Sequence, residues 1–353
     1  MQIMTDSPIR FPGLFGDWAF TASSKALDIG NGIYWYGILI ALGLVIAIWW
    51  CMNQKSKYGI TEDDLLDSVL WGIPCAIVGA RVYYVLFYLD QFKNSDGSFS
   101  FRKAIAIWDG GLAIYGGVIG GFLFGGLACK WRKVPVLPMF DLAAMGFLMG
   151  QGCGRWGNFF NQEAFGCNTT LPWGMYSEAT RDYLLSSVVT APKGTVIDPN
   201  LPVHPTFLYE SIWCFVGLFL LVKYIKKRKF AGDIALRYLI WYGAGRFWIE
   251  ALRTDSLLLV PSIGLRVSQV VAAVAVVGGI IAEVILTKRY KDKPLMVKLA
   301  LNSEGRTLAA KAKKADPAFR LEEEELVASS PRKLFVERTE AYNKRVKEEL
   351  SAR

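Results

Sequence analysis

The sequence predicts an all-α, polytopic membrane protein with seven transmembrane helices, an extracytoplasmic cap and a charged cytoplasmic tail. Three observations predict it. Hydrophobic residues fill 53% of the 353 positions, and they gather in runs of about 20, the length that crosses a bilayer core as a helix. Lys/Arg clusters follow alternate runs, as loops on the positively charged, cytoplasmic side do. Twelve Trp, fifteen Tyr and 34 Gly suit interfacial belts and close helix contact. The net charge of +9 therefore reads as membrane topology and not as a nucleic-acid surface. The six cysteines (Cys51, Cys75, Cys129, Cys153, Cys167 and Cys214) form no CxxC and lie mostly in apolar runs, so neither a disulfide framework nor a metal site is expected. No cofactor is implied.

Residues 1–33 read as an irregular outer segment. They are mixed in polarity and contain Pro8, Pro12, Asp17 and Asp28, so no cleavable signal peptide is expected there. The first span covers about 34–52 and opens on Tyr34, Trp35 and Tyr36. Thr61-Glu62-Asp63-Asp64 reads as a helix N-terminus leading into a second span at about 65–89, which carries Arg81. A polar loop at 90–107 precedes a third span at about 110–130. Gly116, Gly117, Gly120, Gly121 and Gly125 give that span a small-residue face. The fourth span is about 138–153. Residues 155–205, rich in turn formers, are expected to fold as the cap. Three more spans follow at about 206–225, 233–252 and 260–286. Lys/Arg clusters after the first, third, fifth and seventh spans place the amino terminus outside and the carboxyl terminus in the cytoplasm. The domains are thus 1–33, a 34–290 transmembrane catalytic domain and a 291–353 tail. The tail is charged and helical, and a solvated appendage is the plain reading of it.

Polar residues concentrate at the outer ends of the spans. Gly154-Arg155-Trp156-Gly157-Asn158-Phe159-Phe160-Asn161-Gln162-Glu163-Ala164-Phe165-Gly166 closes an apolar run and packs ionisable groups between glycines. Such groups at a membrane boundary are costly and usually bind or react with something. The plainer alternative is an outer loop where Arg155 and Glu163 only pair with each other. On the sixth span, Arg246, Glu250 and Arg253 stand at i, i+4 and i+7, on one helix face. Either they form a self-satisfied ladder facing the bundle interior, or they serve a substrate. Glu210, just inside the fifth span, is placed to join that interior network.

The first of these segments resembles the signature of bacterial prolipoprotein diacylglyceryl transferases, Gly-Arg-x-Gly-Asn-Phe-x-Asn-x-Glu-x-x-Gly. Gly154, Arg155, Gly157, Asn158, Phe159, Asn161, Glu163 and Gly166 match every fixed position. Tyr242-Gly243-Ala244-Gly245-Arg246-Phe247-Trp248-Ile249-Glu250-Ala251-Leu252-Arg253 is similar to the family's Tyr-Gly-x-x-Arg-Phe-x-x-Glu-x-x-Arg. Tyr36-Gly37 looks like its essential tyrosine, and Asp109-Gly110-Gly111 with Gly116-Gly117 like its third-span motif. The resemblance covers about 34–290. Two positions depart from it. Many members carry a His, proposed as the base, where this chain has Tyr115. In His204-Pro205-Thr206-Phe207-Leu208-Tyr209-Glu210, Phe207 replaces a Gln.

The resemblance implies transfer of a diacylglyceryl group from phosphatidylglycerol to the lipobox cysteine of a prolipoprotein, in the bacterial plasma membrane. It implies Arg155 and Arg246 as catalytic residues, with Tyr115 and His204 beside them. Tyr36, Asp109, Asn158, Asn161, Glu163, Gly166, Glu210, Glu250 and Arg253 are expected to serve substrate binding. Partners are phosphatidylglycerol, prolipoprotein signal peptides and the lipid bilayer, with no nucleic acid. Arginine suits the chemistry, because its planar fork matches phosphate oxygens and its charge is permanent. Thiol deprotonation has three candidate sources: Tyr115, whose kind titrates near 10, His204, or the arginines acting on the thiol itself. His204 has a plainer reading, as a cap or anchor for the turn at Pro205. A transporter would also line a path with buried charge, but no internal repeat supports that class. A structural scaffold would not account for buried charges on several spans.

Overall fold

The structure, a computed structural model, describes residues 7–21, 23–29, 32–94, 97–107, 110–186, 189, 197–256, 258–260 and 264–352, without the side chains of Ile114, Tyr115 and Val260. Helices dominate it. In chain order they are α1 (Pro12–Phe15), α2 (Trp35–Gln54), α3 (Glu62–Phe87), α4 (Phe101–Ile105), α5 (Ile114–Trp131) and α6 (Val136–Asn161). Then come α7 (Glu178–Leu185), α8 (Thr206–Tyr224), α9 (Asp233–Leu252), α10 (Val267–Arg289), α11 (Ser303–Ala315) and α12 (Arg332–Ser351). Four antiparallel strand pairs accompany them: β1 (Ile9–Arg10) with β2 (Ala19–Phe20), β3 (Lys25–Leu27) with β4 (Ile33–Tyr34), β5 (Leu258–Val260) with β6 (Leu265–Arg266), and β7 (Met296–Lys298) with β8 (Glu325–Val327). At two or three residues per strand these pin loops and build no layer.

Among the described residues, five helical stretches are long and apolar enough to cross a membrane: Trp35–Tyr58, Glu62–Phe87, Val136–Asn161, Thr206–Lys227 and Val267–Arg289. The other two expected spans are also helices. They are α5 and α9, and α9 carries Asp233, Arg237, Arg246 and Glu250. Three boundaries differ from the sequence reading. α5 begins at Ile114, because Gly110 and Gly111 hold φ of +85° and +74°, which no helix accommodates. α6 continues past 153 to Asn161, so half of the signature is helical. The seventh apolar run starts as a strand pair and turns helical at Val267. The expected helix start at Thr61 holds: its side chain accepts from the Asp64 amide, and the Asp64 carboxylate accepts from the Thr61 amide.

The chain divides into two compact units. The first comprises Met1–Cys51 and Asp141–Leu295. Here α9 packs against both α8 and α10. Two tryptophans fix α8 to α9. The Trp213 indole donates to the Trp241 carbonyl and the Trp241 indole to the Trp213 carbonyl, each at 2.9 Å, with rings stacked 4.4 Å apart. Gly217 and Gly245 make room for them. A Cβ on Gly245 would overlap the Trp213 ring, and one on Gly217 the Trp241 ring. The buried Asp141 of α6 accepts from the amides of Gly232 and Ala235, both at 2.9 Å. It caps α9 from a distance, which Gly232 at the N-cap position cannot do.

Phe165, Met175, Leu184 and Val203 of the 155–205 segment form a core with Ile9 and Phe207. Ile9 belongs to the amino-terminal segment, which therefore packs with 155–205. Arg10 and Tyr176 exchange backbone hydrogen bonds, and Ser7 is tied to Gln162 through both side chain and carbonyl.

The second unit comprises Met52–Phe140 and Met296–Arg353. The expected glycine face of α5 meets α3 at backbone distance. A Cβ on Gly120 would lie 2.6 Å from the Cys75 carbonyl oxygen and 3.1 Å from the Gly79 Cα. Arg81, buried in α3, donates to the carbonyls of Lys103, Ala104, Ala106, Gly110 and Gly111 at 2.5–3.1 Å. Its charge is met by backbone dipoles. Since the atoms opposing Gly120 are backbone and cannot rotate away, Gly120→Ala should cost roughly 1–3 kcal/mol. Gly125→Ala, whose nearest neighbour would be 3.9 Å away, should be close to neutral. Thermal unfolding midpoints of the two purified variants check this.

Candidate active site

Three helices of the first unit bring their polar residues together. α6 supplies Arg155, Asn158 and Asn161 from its last two turns. α8 supplies Glu210 from its first two turns. α9 supplies Tyr242, Arg246 and Glu250. Glu210 is 3% exposed and stands at the centre. Its Oε1 meets Arg155 Nη2 at 2.5 Å, and its Oε2 meets Arg246 Nη1 at 3.2 Å. The Tyr242 hydroxyl donates to Oε1 at 3.2 Å. Arg246 also holds Glu250, at 2.6 Å. A buried carboxylate is tolerable only when its charge and lone pairs are met, and these three donors meet them.

The signature forms the second half of the site. Arg155 Nη1 donates to Asn158 Oδ1 at 3.4 Å. Asn158 Nδ2 and Asn161 Nδ2 donate to Glu163 Oε1 at 2.9 and 3.1 Å. Glu163 is thus held by two amides, while Arg155 pairs with Glu210 on another helix. The alternative reading, an outer loop with an Arg155–Glu163 pair, is set aside by this geometry.

The chain turns sharply after α6. Gln162 and Ala164 take positive φ, +52° and +58°, in a region that non-glycine residues adopt at some cost. Gly166 stands where there is no room for a side chain. A Cβ there would lie 2.8 Å from His204 Cβ and 3.0 Å from the Leu252 carbonyl oxygen. Its small size lets three segments meet: the Gly166 amide donates to the His204 carbonyl at 2.9 Å, and Cys167 to the Leu252 carbonyl at 2.7 Å. Thr206 Oγ1 adds a hydrogen bond to the Ala164 carbonyl. Gly157 likewise makes room for Tyr36, whose ring a Cβ there would overlap.

Other expected residues stand apart from this chain of bonds. Arg253 is not a rung of an Arg246–Glu250 ladder. It lies just past α9, where extended backbone turns it to Asp255, bound at 2.8 and 2.6 Å. His204 does not cap α8, whose N-cap is Pro205 with no side-chain hydrogen bond. Its Nδ1 lies 3.0 Å from the Tyr209 hydroxyl, which also accepts from Trp173. Burial pulls its pKa below the ordinary imidazole value, so the ring is neutral near pH 7. Asp109 lies outside the described residues, as does the Tyr115 side chain. Tyr242 is the residue that sequence reasoning passed over. It opens the sixth-span motif, and its i, i+4 spacing to Arg246 was the available signal.

A family model described as prolipoprotein diacylglyceryl transferase matches residues 24–285. This chain belongs to the prolipoprotein diacylglyceryl transferase family. It is 40% identical over 264 residues to the phosphatidylglycerol–prolipoprotein diacylglyceryl transferase of Clostridioides difficile (strain 630), covering 74% of this chain and 94% of that one. The enzyme of the same name from Oceanobacillus iheyensis is 40% identical over 277 residues, 76% of this chain and 91% of the relative. Transferase 1 of Clostridium perfringens (strain 13 / Type A) is 41% identical over 271 residues, 76% and 96% of the two chains.

Within this cluster, Glu210 is the keystone by its bonds. Removing one partner of a buried ion pair typically costs about 3–5 kcal/mol, because the remaining charge is left unmet. Glu210→Ala leaves Arg155 without a carboxylate while Arg246 keeps Glu250, so a loss within that range is expected. The thermal midpoint of the purified variant measures it.

Proposed function

We infer that this chain transfers the sn-1,2-diacylglyceryl group of phosphatidylglycerol to the lipobox cysteine of prolipoproteins, the first step of bacterial lipoprotein maturation. A thioether forms and glycerol phosphate is released. Membership of the family supports the reaction. The observation that carries the residue roles is the convergence of Arg155 and Arg246, from different helices, on the two oxygens of Glu210.

Arg155 and Arg246 bind the phosphate of the lipid headgroup. Two guanidinium groups close together repel, and Glu210 offsets that repulsion while fixing the direction of their free N–H groups. Asn158, Asn161 and Glu163 orient Arg155 and meet headgroup hydroxyls, and Tyr36 lines the same region over Gly157. In the reaction the substrate sulfur bonds to the glyceryl carbon, and that carbon's bond to the phosphate oxygen breaks. The oxygen keeps the electron pair, and the arginines stabilise the charge it gains. The substrate thiol gives up its proton more readily than Tyr115 would, since an ordinary cysteine titrates near 8.5 and a tyrosine near 10. Glu210 and Glu250 answer the two arginine charges, so thiolate stabilisation comes from directed N–H donors and not from a net positive field. Tyr115 and His204 hydrogen-bond substrate or its surroundings. Asp109, Glu250 and Arg253 complete the binding region.

The chain spans the plasma membrane seven times over residues 34–290, with the amino terminus outside and the 291–353 tail in the cytoplasm. The alternation of Lys/Arg clusters supports this. The signature and the 155–205 cap then face outward, where prolipoproteins present their lipobox, and both membrane-bound substrates arrive laterally.

Purified enzyme with labelled phosphatidylglycerol and a lipobox peptide tests the reaction. Arg155→Lys and Arg246→Lys should each lose most turnover while accumulating normally, because lysine keeps the charge but not the fork. In the same assay Tyr115→Phe and His204→Gln should keep a substantial part of it. Near-normal turnover in both lysine variants would remove arginine–phosphate recognition from the mechanism. For topology, a cysteine at Asn168 should label from outside intact cells and one at Ser329 should not; labelling of the second would reverse the orientation.

A further inference from the structure

The family match ends at residue 285, and the aligned stretches already cover 91–96% of the relatives' lengths. Residues 296–352 lie beyond that family match, yet they are built as a folded body. β7 and β8 pair in register over Met296↔Val327, Val297↔Leu326 and Lys298↔Glu325. Asn302 caps α11 through the Gly305 amide at 2.8 Å. Asn343 of α12 accepts from the Asn302 amide at 2.8 Å and donates to the Ala300 carbonyl at 2.9 Å. α12 buries Phe335 and Val346 completely, both at 0% exposure. A solvated appendage would not bury them.

Part of this core comes from far earlier in the sequence. The turn after α2 contributes Tyr58 and Ile60, each 1% exposed, and both α12 and β7 touch the helical turn Lys55–Tyr58. Gly59 takes φ +65°, and a Cβ on it would stand 2.5 Å from the Lys298 carbonyl oxygen, so the β7 backbone lies directly on this turn. Charge fixes the same contact. Arg306 of α11 bonds to Asp64 and lies 3.4 Å from Asp63. Asp64 is the residue that closes the capping box of α3. Its Oδ2 serves the Thr61 amide and its Oδ1 serves Arg306. Arg332 adds a hydrogen bond to Asn53 at 3.0 Å.

We propose that residues 296–352 are an accessory module whose binding partner is the 53–64 turn of the same chain, held there without need of the covalent link. The apolar anchors are Tyr58 and Ile60, and the polar clamp is Arg306 on the α3 cap. The module therefore fixes the start of a membrane-spanning helix from outside the bilayer. Burial of the anchors makes the contact outlast salt, which screens exposed charges but not apolar burial.

The test uses the full-length enzyme with a specific protease site replacing the exposed residues 291–294. It is cut after purification in detergent, where no bilayer remains to hold a basic fragment, and run on a sizing column at low and at high salt. The released-length fragment should co-elute with the membrane portion under both conditions. Arg306→Glu, which sets a like charge against Asp63 and Asp64, should increase the freed fraction several-fold after the same cut. Separation of the wild-type fragment on cutting, at either salt, overturns the proposal. That reading does not depend on any variant folding.

Discussion

Two guanidinium groups held on one buried carboxylate are the constraint on which the first unit depends. Neither Arg155 nor Arg246 would be tolerated alone among apolar helices, and Glu210 would not be tolerated without both. The triad therefore joins α6, α8 and α9 by charge, beside the tryptophan pair that holds α8 to α9. Its cost is desolvation of three charges, offset by direct pairing, by Tyr242 and by Glu250. The same desolvation gives the arginines their value, since an N–H aimed at a phosphate is stronger where water is excluded. Stability and chemistry here draw on one set of side chains.

Around the triad, the fold spends glycines where helices must touch and caps where they must start. Gly157 and Gly166 open space for Tyr36 and for the meeting of three backbone segments. Asp141 reaches from α6 to cap α9, and the capping box at Thr61 starts α3 with a carboxylate that also takes Arg306. In the second unit the glycine face of α5 admits the α3 backbone, and Arg81 gathers five carbonyls that a chain of its length would otherwise leave to water.

Much of this was legible in the sequence, and the misses have physical reasons. Apolar runs located the seven expected spans as helices, because a span must be both long and apolar, whereas the equally long α12 is polar. The helix start at Thr61 was visible because a capping box is local. The end of α6 was misread because Gly154 and Gly157 suggest a loop, yet inside a packed helix they only make room for a neighbour. The sixth-span ladder failed at Arg253 because spacing assumes the helix continues, and α9 stops one residue earlier. Glu210 was suspected of joining an interior network, but its place between two arginines is a long-range fact that no local pattern carries. The tail's core was invisible for the same reason: Tyr58 and Ile60 sit more than two hundred residues from Phe335.

The reciprocal tryptophans have a consequence for how this sequence can change over time. Trp213 and Trp241 each need the other's carbonyl, and each ring needs the bare glycine across from it, Gly245 or Gly217. A single substitution at any of the four breaks the arrangement, and no second single substitution restores it. Those four positions form one structural block, adjacent in sequence to Arg246 and one turn from Glu210. A substitution anywhere in that block therefore acts on the two helices that carry Arg246 and Glu210.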